Sequence, residues 1–154
     1  MEDIYLGNPL LKKANVAQEF TQEQILEFMA CKQDPVYFAK QHVKIVSLDE
    51  GLVPFEPYDF QERLINNFHH NRFNICKMPR QTGKSTTSVS YLLHYAVFND
   101  NVNIGILANK AATARDLLGR LQTAYENLPK WMQQGIISWN KGSLELENGS
   151  KILA

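Results

Sequence analysis

The sequence predicts an α/β fold: an incomplete parallel sheet preceded by a small helical subdomain. Three observations lead there. From residue 73 onward, short apolar runs rich in β-branched residues alternate with longer stretches of helical period, the pattern of parallel strands joined by crossover helices. Between the first such strand and its helix stands Gly83-Lys84-Ser85, a tight corner at the place where parallel sheets carry their ligand loops. Before residue 50 the chain instead shows two capped helical stretches.

Composition sets the frame. An apolar fraction of 44% suffices for a packed core in 154 residues. Sixteen basic and sixteen acidic side chains cancel, so any nucleic-acid contact must come from a local patch. Cys31 and Cys76 both stand in apolar contexts and read as reduced core thiols, which suits a reducing compartment. The first residues carry no signal-peptide pattern, and no run approaches the roughly 18 apolar residues needed to span a bilayer. A soluble intracellular protein without a membrane partner is expected.

The elements follow in order. Thr21 and Gln24 have capping-box spacing before the stripe Ile25, Leu26, Phe28 and Met29, predicting a helix over 22–32. Asp34-Pro35 then supplies an N-cap and a first-turn proline for a second short helix ending near His42. Two extended segments flank the turn Asp49-Glu50-Gly51, with Pro54 and Pro57 arguing for an edge position. A third helix, capped by Asp59, covers "YDFQERLINNF". Beyond it the pattern predicts a strand over 73–77, a helix over 84–98, a strand over 102–108 and a helix over 110–127. Short extended segments close the chain around Lys141-Gly142 and Asn148-Gly149, the latter a strong hairpin signal. The last strand reaches the last residue, so the fold is expected to be cut part-way.

A phosphate loop works because successive backbone N–H groups, a lysine ammonium and a helix N-terminus point at the same anionic oxygens, while a hydroxyl ligates magnesium. Gly83, Lys84 and Ser85 supply those parts, with Gln81, Thr82 and Thr86 completing the cradle. Met78 stands where such loops usually open on glycine, so Met78-Pro79 must turn the chain with another geometry. Arg80 lies inside the cradle, placed to reach a terminal phosphate. Upstream, Phe60 and Gln61 open a helix with an aromatic to stack on adenine and an amide to pair with its edge. Downstream, Asn109, Lys110, Thr113 and Arg115 sit at a strand-to-helix junction that either faces ligand or DNA or simply caps the helix. The four histidines have no cysteine or carboxylate partner at metal spacing, and no metal is expected beyond magnesium. Lys12-Lys13 reads as a small DNA-facing or solvated pair, Glu145 and Glu147 as the exposed face of a strand, and Trp131 and Trp139 as packing residues.

At "MPRQTGKSTTSV", with "YDFQERL" before it and "WNKGS" and "LENGS" after it, the sequence resembles the large terminase subunit of tailed bacteriophages, in particular the large contractile-tailed group, over residues 8–154. That family's loop reads Arg-Gln-x-Gly-Lys-Ser/Thr, matched by Arg80, Gln81, Gly83, Lys84 and Ser85, so Met78 is expected there. The resemblance implies a P-loop NTPase sheet of the RecA-like (ASCE) type and an ATP-driven motor that threads double-stranded viral DNA into a procapsid. It further implies a place in the host cytoplasm, docked as a ring of copies on the portal protein and assisted by a small terminase subunit. Carried over by position, Lys84 and Ser85 hold phosphates and magnesium, Arg80 acts with Lys84 in catalysis as a cis arginine, and Gln61 with Phe60 contacts adenine. Residues 1–50 correspond to a flanking helical subdomain and 51–154 to the first portion of the ATPase domain.

Departures temper the expected activity. Residues 86–154 contain no apolar strand closed by the acidic pair that such an ATPase uses to hold magnesium and orient water. Nor do they carry the family's coupling motif or nuclease carboxylates. The chain alone is therefore expected to bind nucleotide without turning it over. In the family's sheet, strands encoded later separate the loop strand from "NIGILA", so open apolar edges are expected. Two other readings stay open: a fragment of an ATP-dependent helicase or translocase, although Thr82 replaces that class's second glycine, and a non-catalytic nucleotide-binding module completed by another chain.

Overall fold

The structure is a computed structural model that describes residues 3–47 and 49–154. Its elements run β1 (Ile4–Tyr5), β2 (Asn8–Lys12), α1 (Gln22–Gln33), α2 (Pro35–His42), β3 (Lys44–Ser47), β4 (Gly51–Pro54), α3 (Asp59–His70), α4 (Lys84–Phe98), β5 (Asn103–Gly105), α5 (Ala111–Glu126), β6 (Ile136–Trp139), β7 (Ser143–Leu146) and β8 (Lys151–Leu153). Mixed α/β architecture is thus realised.

Local signals set the first helices. Thr21 Oγ1 accepts the Gln24 N–H at 3.2 Å while Gln24 Oε1 accepts the Thr21 N–H at 3.1 Å, closing the capping box of α1. One residue separates α1 from α2, because Asp34 Oδ1 accepts the Val36 and Tyr37 N–H groups and Pro35 fills the first helical position. The third helix differs from expectation: Asp59 is its first residue, not its cap. Instead Gln61 Oε1 reaches back to the Tyr58 N–H at 2.9 Å.

The helix α4 is the centre of the packing and touches α2, α3 and α5. Its buried residues include Val89, Leu93, Ala96, Val97 and Phe98, more than one stripe, as befits a helix covered on several sides. Phe98 meets Phe28 of α1 and Phe38 of α2 edge-on, with ring centroids 4.9 and 5.3 Å away. The amphipathic α5 contributes Leu118, Leu121 and Tyr125 to the same core.

Three small sheets surround the helices. Antiparallel hairpins β1–β2 and β3–β4 stand apart from a four-stranded sheet ordered β5–β8–β7–β6. In that sheet β5 and β8 are parallel and the other pairs antiparallel. Leu144 and Leu146 of β7 are buried against the core, as period-two alternation requires. The Asn148-Gly149 hairpin forms as expected, with Gly149 at φ +81°.

The strand expected over 73–77 is not formed. This stretch runs without a hydrogen-bonded strand partner among the described residues, and Phe73 and Ile75 are 82% and 99% exposed. A strand needs a neighbour to take its N–H and C=O groups, and β5 makes its ladder with β8 instead. Cys76 consequently lies exposed, correcting its reading as a core thiol, while Cys31 is fully buried.

Two charged residues also correct the sequence reading. Lys12 is only 8% exposed, and its ammonium lies 3.8 Å from Glu147. Glu147 Oε1 accepts the Gly135 N–H at 2.7 Å and its Oε2 the Asn15 N–H at 2.9 Å, so this carboxylate ties the N-terminal hairpin to β6 and β7. The buried Gln133 amide adds bonds to the Lys12 N–H and the Leu10 carbonyl.

Candidate functional site

The exposed stretch after Lys77 turns into α4 within a few residues. Gly83 precedes the helix at φ 71° and ψ 16°, a left-handed conformation that costs a side chain strain. Gln81 also adopts a positive φ, 62°. The loop curls round the Pro79 carbonyl, which accepts Thr82 Oγ1 at 3.0 Å and the Lys84 ammonium at 3.2 Å. The turn therefore falls at Arg80 and Gln81 rather than at Met78-Pro79, with Gln81 and Gly83 taking the positive φ and the Pro79 carbonyl accepting from the residues beyond.

Beyond the corner, α4 begins with Lys84, Ser85 and Thr86, all half-buried. The first turn of a helix leaves N–H groups without intrahelical acceptors and carries the positive end of the backbone dipole. Thr87 does not join this turn's outward face, since its N–H and Oγ1 both bond to the Gly83 carbonyl. Arg80 and Gln81 are exposed on the loop, and among the described residues Arg80 makes no ion pair.

Gln61 is the residue that joins this loop to the helix before it. It is 4% exposed, and its Nε2 donates to the Thr82 carbonyl at 3.2 Å while its Oε1 holds Tyr58. One lone pair and one N–H of the amide remain for another partner. A cleft of about 430 Å³ opens beside it, lined by Glu50, Glu56, Tyr58, Gly83 and Thr86 as well as Gln61. Phe60, the aromatic singled out in the sequence, lies outside this lining and stacks on Tyr58, with ring centroids 5.8 Å apart at 12°. Tyr58 is thus the aromatic that the sequence reading missed, although its position three residues before Gln61 at the helix entry was visible.

The downstream junction splits. Asn109 does not cap α5, whose N-cap is Lys110 without a side-chain bond. Asn109, Lys110 and Thr113 are exposed, whereas Arg115 lines a larger cleft of about 750 Å³ between β3 and the helices α4 and α5, together with Lys44, Thr86, Asp116 and Arg120. Arg120 spends its charge on Asp116 at 3.0 Å.

Residues 75–154, just over half of the chain, match the family described as "Terminase large subunit, T4likevirus-type, N-terminal". The chain belongs to this terminase large subunit family. The matched region opens in the exposed stretch before the loop and takes in α4, α5 and the four-stranded sheet. Gln61 and Tyr58 precede it, so their place in the site rests on geometry alone.

The terminase match also includes "LENGS", and the structure gives each polar residue there a task. Glu147 anchors the N-terminal hairpin, as above. Asn148 Nδ2 donates to the Ala96 and Asn99 carbonyls at 2.9 and 3.1 Å, and Ser150 Oγ to Asn99 at 2.7 Å, satisfying carbonyls that the end of α4 leaves open. The helix that starts at the loop is thereby fixed at its far end by this hairpin. Among the described residues no helix is long and apolar enough to cross a membrane.

Proposed function

We propose that this member of the DNA-packaging terminase family uses its loop at residues 78–86 to bind the phosphates of ATP with magnesium, on a P-loop NTPase framework, within a motor that moves double-stranded viral DNA. The observation that carries the reading is the left-handed Gly83 delivering Lys84, Ser85 and the open N–H groups of α4 to one corner. That corner fits a polyphosphate. Its backbone donors need an acceptor, and the Lys84 ammonium sits on a single loop carbonyl from which an anion would draw it.

In this reading the Lys84 ammonium and the first-turn N–H groups bind phosphate oxygens, with Gln81, Thr82 and Thr86 around them. The Ser85 hydroxyl would hold magnesium, which supplies positive charge against the phosphate oxygens when bound. Arg80, exposed and unpaired within the described residues, is free to swing over a terminal phosphate as a cis arginine. Gln61 keeps one donor and one acceptor for the edge of adenine, with the Tyr58–Phe60 pair beside it for stacking. Residues 1–50 would flank this ATPase portion. Portal protein, small terminase subunit and further copies of the chain in a ring are the partners proposed, at the procapsid portal in the host cytoplasm.

Calorimetric titration with ATP and magnesium tests the proposal. The chain is expected to bind one nucleotide, and Lys84→Ala to weaken that binding about tenfold or more, the scale of one lost charge-assisted contact. Unchanged binding in Lys84→Ala would remove the loop assignment.

A further inference from the structure

We infer that Glu27, Cys31 and His42 form a binding site for one divalent transition-metal ion of the zinc type, clipping α1 to the end of α2. Glu27 and Cys31 stand four residues apart on α1 and so share a face. The Asp34-Pro35 turn then returns the chain and sets His42, the last residue of α2, against that face. Glu27 Oε1 lies 2.7 Å from His42 Nε2 and 3.6 Å from Cys31 Sγ, and the three ligand atoms fall within 4.8 Å of one another. Sequence spacing hid this group, because the histidine arrives through a turn rather than through a regular interval.

The donor set suits the ion. A thiolate, an imidazole and a carboxylate are the sulfur, nitrogen and oxygen ligands that zinc accepts, and three of them leave a fourth position for water. The far oxygen of Glu27, Oε2, accepts the Tyr37 hydroxyl at 2.9 Å, a supporting bond that orients the carboxylate and leaves Oε1 toward the other two. His42 is held in turn by Phe38 and by the Trp131 ring, whose centroid is 6.3 Å away at a right angle.

Charge balance is compatible with a dication at this cluster. A carboxylate, a thiolate and a neutral imidazole around a dication sum to zero, which suits a site whose sulfur is buried and whose other two ligands are partly buried. Binding therefore exchanges the thiol proton, and any proton on the imidazole, for the metal.

The site stands apart from the loop at residues 78–86, yet it is joined to it. Val43 follows His42 directly and leads into β3, whose Ile45 lines both the cleft beside Gln61 and Gly83 and the larger cleft beside Arg115. An ion at the end of α2 would fix the root of that hairpin.

Cobalt(II) as the probe decides the matter. Chelator-stripped protein titrated with cobalt is expected to take up one ion, with a sulfur-to-cobalt charge-transfer band in the near ultraviolet and tetrahedral visible bands that zinc then erases. Cys31→Ser should abolish the charge-transfer band, and Cys76→Ser should leave it intact. Because Cys31 is buried and its variant could fail to fold, the half-buried His42→Ala provides a second arm: unchanged helical circular dichroism with cobalt affinity weakened about tenfold or more. No band in the wild-type chain, a band that survives Cys31→Ser, a band lost in Cys76→Ser, or undiminished affinity in His42→Ala would each overturn the site.

Discussion

The side-chain amide of Gln61 fills the space that a side chain at position 83 would need: a methyl group built on Gly83 overlaps Gln61 Nε2. Gly83→Ala should therefore cost twice. The left-handed backbone penalises alanine by about 1–2 kcal/mol. Displacing Gln61 also breaks its bonds to the Thr82 carbonyl and the Tyr58 N–H, about 1 kcal/mol each. Urea unfolding should show a loss of about 3–4 kcal/mol for Gly83→Ala alone, and a smaller loss when the same change is made in Gln61→Ala. Strict additivity of the two substitutions would mean that the amide and the loop are not coupled.

Arg80 should separate binding from turnover. It is exposed and has no ion-pair partner among the described residues, so Arg80→Ala should change stability by less than about 0.5 kcal/mol. In a hydrolysing packaging assembly the same change is expected to leave ATP affinity near normal while turnover falls by about 10³-fold, the scale of a lost arginine finger. Equal loss of affinity and rate would make Arg80 a binding residue instead.

What the sequence showed and what it hid divide along the range of the interactions. The capping box of α1, the Asp34-Pro35 start of α2, the extent of α4 and the Asn148-Gly149 hairpin are written in neighbouring residues, and all of them form. The stretch 73–77 has the composition of a strand, but a strand exists only with a partner, which local composition cannot supply. Cys76 was misplaced for the same reason. Lys12 and Glu147 are 135 positions apart, so a solvated lysine pair and an exposed strand face were reasonable local readings of two residues that meet. At the loop, the corner at Gly83 and the start of α4 at Lys84 were legible from residue order, whereas the place of Tyr58 in the cleft lining required the geometry of α3 against the loop.

Glu147 offers the next test, since one carboxylate serves Lys12, Asn15 and Gly135. Glu147→Ala leaves a buried ammonium and two N–H groups without their acceptor. A loss of about 2–4 kcal/mol is expected, the range for breaking a partly buried charged network. Amide exchange should report where: protection should fall at Asn15 and Gly135 before it falls in α4. Loss confined to less than about 0.5 kcal/mol would return Glu147 to the exposed strand face that its alternation with Leu144 and Leu146 suggested.

Acid should loosen the core through His94. This ring is 1% exposed, its Nε2 lies 2.8 Å from the Cys31 carbonyl, and its Nδ1 has no partner among the described residues, so the neutral ring donates from Nε2. Burial, with His69 close by, lowers its pKa from 6.5 to about 4 despite the opposing pull of the backbone contacts and Asp34. A depressed folded-state pKa means that the unfolded chain binds the proton more readily. The stabilising effect is thus complete above pH 6.5 and is lost progressively as pH falls toward 4. With a chelator present to exclude metal effects, unfolding free energy should drop by about 2 kcal/mol between pH 7.5 and 5 from this group. His94→Gln keeps an N–H donor in reach of the Cys31 carbonyl and does not titrate, so it should flatten that part of the profile even if it lowers stability overall. A profile as steep in His94→Gln as in the parent chain would assign the acid sensitivity to other groups.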